Sequence, residues 1–309
     1  MKEIIGHTGS AAIFILAICI FSLPAVANDD LFWRNASTEV DSFPFTQAFI
    51  DSVKNEHGVT RPSQPLRRVK SGPFVSGEKM VYEVTWGLFK AGYLIIEAQP
   101  HEATNTIRIS AKALSNNFVS AFYRVRDYVI SWVDADGLYP IFFEQHLRER
   151  NYVSDGYIAY DPLQNRVFIE GRRSVVIEET PSVVHDYLSI LYKVRSMDLK
   201  RGSNHTLDLL MSREVNPITF RIRKGGEINS TLGKFNTIRI EPQLVGEGRA
   251  FNRRDQMEIW VTDDEHKIPI QIRSKVGFGS LTARIVHYER IPGVRPDQTG
   301  VVCSSSQLR

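Results

Sequence analysis

Pro181-Ser-Val-Val-His-Asp-Tyr-Leu-Ser-Ile-Leu-Tyr-Lys-Val-Arg-Ser-Met197 is the stretch whose reading decides the fold. Val184, Leu188, Leu191 and Val194 or Arg195 recur at helical spacing, with Tyr187 and Tyr192 flanking that stripe. The spacing predicts one principal helix over about 183–197. Asp186 or Ser182 can cap its amino end, where free backbone N–H groups need an oxygen acceptor. Lys193, Arg195 and Lys200 lie toward the carboxyl end, which favours cations, and Gly202 is the stop signal. Pro181 cannot continue a strand ladder. A single amphipathic helix cannot build a core alone, so its apolar stripe has to lie on a sheet.

The flanks supply that sheet. From Met80 to Leu88, Met80, Tyr82, Val84 and Trp86 alternate with Val81, Glu83 and Thr85. Lys90-Ala-Gly92 is a tight connection, followed by a return strand over 93–98 and another over 106–113. Asn116 to Tyr123 reads as a short helical or loop excursion. Alternating runs continue over 126–133, 139–150, 152–160 and 166–169, and after the helix in seven further segments from 207 to 288. Asp134-Ala-Asp-Gly137, Asp161-Pro162 and Gly225-Gly226 punctuate them as turns. Short strands joined by turns, without the strand–helix alternation of parallel folds, give a mainly β class. The expected architecture is a curved antiparallel sheet or incomplete β-barrel, with the helix on its concave side.

The 309 residues carry 38 basic and 35 acidic side chains, a net charge of +3, and 42% apolar residues. That near-balance gives no concentrated basic face, so no nucleic-acid partner is expected. Residues 1–27 read as a signal peptide: Lys2, an apolar run from Ala11 to Leu23, then Ala25-Val-Ala27 as a small-residue cleavage pattern. The expectation is export to the periplasm after cleavage behind Ala27, with no transmembrane span afterwards. Residues 28–75 are a poorly patterned lead-in and linker, either mobile or with its Phe43, Phe45 and Phe49 packed as a short helix. The β domain covers 76–290, and 291–309 reads as a disordered tail. Removal of Cys19 with the signal leaves Cys303 alone, so no internal disulfide forms.

The chain lacks HExxH, a Cys pair, a GxSxG elbow and a Gly-rich phosphate loop. No catalytic residue, metal or cofactor is therefore assigned. His185-Asp186 is read as helix-start capping. Glu144, His146 and Glu149 lie on one strand, Glu144 and His146 on the same face, and all three are read as solvated. Arg172-Arg173 and Arg253-Arg254 flank turns and are read as solvated charges. Trp86, Trp132 and Trp260 fall inside strands, where aromatics either pack a core or line an apolar cavity.

Several motifs together resemble the bacterial family called domain of unknown function 3108. They are Gly77-Glu78 before Tyr82-Glu-Val-Thr-Trp86-Gly, Lys90-Ala-Gly92, and Asp186-Tyr-Leu-Ser-Ile-Leu-Tyr-Lys-Val-Arg195. Gly233-Lys-Phe-Asn, Glu241-Pro242, Ile259-Trp260-Val-Thr-Asp263-Asp264 and Lys267-Ile-Pro269-Ile complete the set. The resemblance spans roughly Gly77 to Tyr288. It implies an exported, mostly β protein with no established activity, and its sheet and helix also look similar to periplasmic lipoprotein carriers. Two non-enzymatic roles compete. One is binding or carrying a lipid or other apolar envelope molecule, with Trp86, Trp132, Leu188, Leu191, Tyr192 and Trp260 lining the cavity. The other is a structural or assembly factor acting on an envelope protein.

Overall fold

A computed structural model describes residues 77–170, 175–211, 213–244, 257–276 and 279–290. The expected signal peptide, lead-in and tail, and both arginine pairs, lie outside them. Fourteen strands form one antiparallel sheet in the order β8-β7-β6-β5-β4-β3-β2-β1-β14-β13-β12-β11-β10-β9. The first half comprises β1 (Glu78–Trp86), β2 (Phe89–His101), β3 (Thr106–Ser115), β4 (Arg126–Asp134), β5 (Pro140–Glu149), β6 (Tyr152–Asp161), β7 (Arg166–Glu170) and β8 (Val175–Ile177). The second comprises β9 (Asn204–Met211), β10 (Glu214–Ser230), β11 (Gly233–Leu244), β12 (Met257–Thr262), β13 (Pro269–Val276) and β14 (Gly279–Arg290). The chain thus starts mid-sheet and meanders out to one edge. It crosses the concave side through the helix, then meanders back until β14 pairs with β1. The sheet is bent but not closed. Register shifts between Val84 and Thr85, Trp132 and Val133, Lys224 and Gly226, and Trp260 and Val261 supply local bends. Gly92 has no room for a side chain, since a Cβ there would meet the Leu114 carbonyl oxygen at 2.0 Å.

The helix α2 spans Tyr187–Arg195, shorter than the expected 183–197. Its start is delayed because His185 pairs with the edge strand β9: its N–H donates to Asp208 O and its carbonyl accepts from Leu210 N, both at 2.8 Å. Asp186, not Ser182, is the cap. Its Oδ1 accepts from the N–H groups of Leu188 and Ser189 at 2.8 Å, and Ser189 Oγ accepts from Asp186 N at 3.0 Å. The other end stops at Ser196, whose Oγ donates to Lys193 O, several residues before Gly202. A one-turn helix, α1 (Asn117–Ser120), occupies the 116–123 excursion and is capped by Asn116.

The core fills the concave side. Met80, Tyr82, Leu281, Ala283 and Ile285, from the central pair β1 and β14, are fully buried there with Tyr192 of α2. The convex side divides in two. Over β9–β14 it carries a charged ladder, in which Arg239 meets Glu241 at 2.9 Å and Glu258 at 3.1 Å. Over β4–β7 it is aromatic, with Phe142, Ala159 and Phe168 buried beside Trp132 and Tyr157. Glu144 and His146, expected to be solvated, belong to this second region and are each only 2% exposed. His146 Nδ1 lies 2.7 Å from Asp155 Oδ1, and the His146 ring stacks on Tyr128. Aromatic neighbours have displaced the water that a polar sheet face would hold.

Candidate functional site

The site is built on α2. One flank of the helix is locked in place. Arg195, fully buried, lays its two terminal nitrogens on the two carboxylate oxygens of Glu78, also fully buried, with Nη2 to Oε2 at 3.0 Å. Arg195 Nε donates to Lys267 O at 3.0 Å, and Tyr288 OH donates to Glu78 Oε2 at 3.3 Å. This bidentate pair ties the last turn of α2 to the first residues of β1. Lys193 Nζ donates to Gly137 O at 2.9 Å, so Lys193 and Arg195, two of the cations read at the carboxyl end of the helix, are both turned inward. At the amino end Ser131 Oγ donates to Asp186 Oδ2 at 2.6 Å, pinning the cap to β4. Burial pushes the Asp186 carboxyl up to about 6 despite those donors, and burial beside Lys193 pushes His185 down to about 3.

The other flank of α2 faces empty space. An apolar cleft with a cavity volume of about 100 Å³ lies between the helix and the inner faces of β2, β3 and β9–β13. Leu188, Leu191 and Val194 form one wall, opposite Ile218, Phe220 and Ile259. Every lining side chain is a hydrocarbon or thioether except Tyr187, which carries a hydroxyl. Half-buried Tyr187, Leu191, Pro242 and Met257 mark the open side. Such a wall offers contact area and no directional polar recognition.

Of the six residues expected to line a cavity, Leu188 and Leu191 do so. Tyr192 lies on the locked flank, fully buried with Arg195 Cζ 5.0 Å from its ring centre. Trp132 and Trp260 point to the convex side, because Val129 and Val133, and Ile259 and Val261, take the inward positions of their strands. Trp86 packs at the far end of β1, near Gly279. Most of the wall comes instead from Ile and Leu positions in β9–β13, which ordinary strand alternation does not distinguish from filled core.

A second buried group was not anticipated. Asp127 and Glu149 are 2% and 3% exposed and face the concave side near α1. Tyr123 OH donates to Glu149 Oε2 at 2.9 Å, and Arg148 N donates to Asp127 Oδ1 at 2.8 Å. Burial pushes the Asp127 carboxyl up to about 7 and raises Glu149 as well. The facing oxygens Asp127 Oδ2 and Glu149 Oε1 have no other donor, so one shared proton satisfies both. This pair does not line the cavity. Among the described residues, no three His, Cys, Asp or Glu side chains gather as a metal site. No described helix is long and apolar enough to cross a membrane.

An open, barrel-like antiparallel sheet wrapped on one helix defines the structural class. The chain belongs to the family described as protein of unknown function DUF3108, whose model matches residues 81–286. No curated protein sequence matches it. A similar solved structure is the β-barrel-like protein of domain of unknown function DUF1849 from Brucella abortus. The TM-score is 0.50 at 9% identity, over 69% of this chain and 97% of that one, a likeness of fold alone. A DUF1089 family protein from Pseudomonas aeruginosa aligns with 12% identity and a TM-score of 0.29, over 71% of this chain and 96% of that one; that is too distant to carry an argument.

Proposed function

We propose that this protein is a non-enzymatic binding or carrier module for a lipid or another molecule with an apolar chain, acting in the periplasm of the cell envelope. The observation that carries the reading is the cavity on the free flank of α2: about 100 Å³, apolar-walled apart from the Tyr187 hydroxyl, and open on one side. Each methylene moved from water into such a space contributes about 0.8 kcal/mol, so an acyl chain is a suitable occupant. The periplasmic assignment rests on the apolar run from Ala11 to Leu23 and the Ala25-Val-Ala27 pattern. The non-enzymatic assignment rests on the separation of the acid–base groups from the cavity. Asp127 and Glu149 lie elsewhere, away from the cavity wall, and Asp186 is spent on capping the helix.

Native mass spectrometry of protein purified from its own periplasm tests this. The expected result is a co-purifying adduct of lipid mass that is lost on Leu191→Trp. Recovery of the bare chain from repeated preparations, with no uptake of added phospholipid, would overturn the carrier role.

A further inference from the structure

We infer that the end of the sheet bearing the β1–β2 turn is a docking surface for an anionic phospholipid bilayer. Among the described residues, seven large apolar side chains are exposed, and five of them sit on three neighbouring turns at this end. Leu88 and Phe89 form the β1–β2 turn, at 97% and 47% exposure. Phe122 follows α1 in the β3–β4 connection at 54%, and Tyr152 and Val153 open β6 at 49% and 56%. Hydrogen bonds tie the first two turns together: Asn116 Nδ2 donates to Lys90 O at 2.9 Å, and Asn116 N donates to Ala91 O at 3.0 Å. Arg150 N donates to Arg124 O at 2.7 Å, which ties the second to the third. Adjacent strands are ~4.8 Å apart, so these turns are spaced about 10 Å from one another and present one apolar rim about 20 Å long.

Cations interleave this rim. Lys90, Arg124 and Arg150 are exposed, Lys90 while also holding Glu83 at 2.7 Å. The two carboxyls nearest the β3–β4 and β5–β6 turns, Asp127 and Glu149, are buried, and burial raises both. The opposite end of the sheet exposes Glu102, Glu178, Glu179, Asp264 and Glu265 together with the cations Lys200, Arg201 and Lys234. Apolar side chains set among cations are the combination that enters the interface of an anionic bilayer. Exposed apolar groups clustered on one end are also what a soluble surface avoids without such a role. The cavity reaches the same end, since Pro242 and Met257 stand beside the end of β11 and the start of β12. Docking does not depend on what the cavity holds.

Flotation of the full mature chain with vesicles of phosphatidylethanolamine and phosphatidylglycerol tests the surface, with phosphatidylcholine vesicles as comparison. Binding is expected to the anionic vesicles and to weaken with salt. Leu88→Ser with Phe122→Ser should lower apparent affinity tenfold or more, and Arg124→Glu with Arg150→Glu at least roughly fivefold per cation. These side chains are exposed, so melting temperature should not move. Leu163→Ser, at an exposed apolar side chain on the opposite end, should bind as wild type does. Leu191→Trp, which obstructs the cavity, should also float normally, so the docking surface and the carrier reading can fail separately. Three results would overturn the inference: no flotation of wild type, equal weakening by Leu163→Ser, or loss of flotation on Leu191→Trp. A concentration-dependent dimer that disappears with Leu88→Ser, without vesicle binding, would reassign the rim to a second copy.

Discussion

Replacing Arg195 by methionine removes the guanidinium that closes the locked flank of α2. Both members of the Arg195–Glu78 pair are fully buried, so the lost charge leaves an uncompensated buried carboxylate, with Tyr288 OH 3.3 Å from its Oε2. The carbonyls of Lys267 and His266 lose their donor as well. Breaking a buried pair from one side costs on the order of 3–5 kcal/mol, against about 5–15 kcal/mol for the stability of a whole domain. Glu78→Leu alone should cost a comparable amount, because it strands the arginine. The double substitution Glu78→Leu with Arg195→Met buries no unpaired charge, and should cost clearly less than the sum of the two. Urea unfolding of the four proteins gives the coupling directly, expected at roughly 2 kcal/mol or more. Additivity within about 0.5 kcal/mol would refute the idea that this pair anchors the helix to β1.

Three further perturbations separate the parts of the site. Asp127 is raised above its unfolded value, so its contribution to stability is full below about pH 4 and is lost as pH rises through about 7. Asp127→Asn imitates the protonated acid, and should gain on wild type by on the order of 1–3 kcal/mol between pH 5 and pH 8, measured by thermal melts at both. A constant difference would reject the shared proton. Asp186→Ala removes a cap that holds two backbone N–H groups and accepts from Ser131, and should lose about 2 kcal/mol in chemical denaturation. Leu188→Ala should cost about 2–3 kcal/mol, near the low end for a buried leucine because it enlarges a void that already exists, and half-buried Leu191→Ala about 1 kcal/mol. Equal, large losses would mean that the flank is packed solid.

The class of fold was legible because its signals are local. Alternation marks strands and turn residues separate most of them, although Gly225-Gly226 is a bulge within β10, and Asp186 was one of two cap candidates for a helix that begins four residues later than its spacing suggested. The cavity was half legible. Leu188 and Leu191 lie on the helical stripe, whereas the tryptophans misdirect. In β4, Tyr128, Ile130 and Trp132 make the more apolar face, yet the concave side receives Asp127, Val129, Ser131 and Val133. Both faces of that strand are buried, so hydrophobicity alone cannot say which one looks inward. The Glu78–Arg195 pair was not legible at all. Its partners are 117 positions apart, and each looks like an ordinary surface charge in its own segment. The exposed rim at the β1–β2 end appears only once the sheet brings three separate turns side by side.

Titration of the purified mature protein with a solvatochromic apolar probe measures the central claim most directly. The account predicts saturable binding at one site with a blue-shifted emission, displacement by a fatty acid, and loss of the site in Leu191→Trp and Ile218→Trp proteins that melt as wild type does. Binding that persists unchanged in both obstructed proteins, or no saturable binding in the wild type, would contradict it.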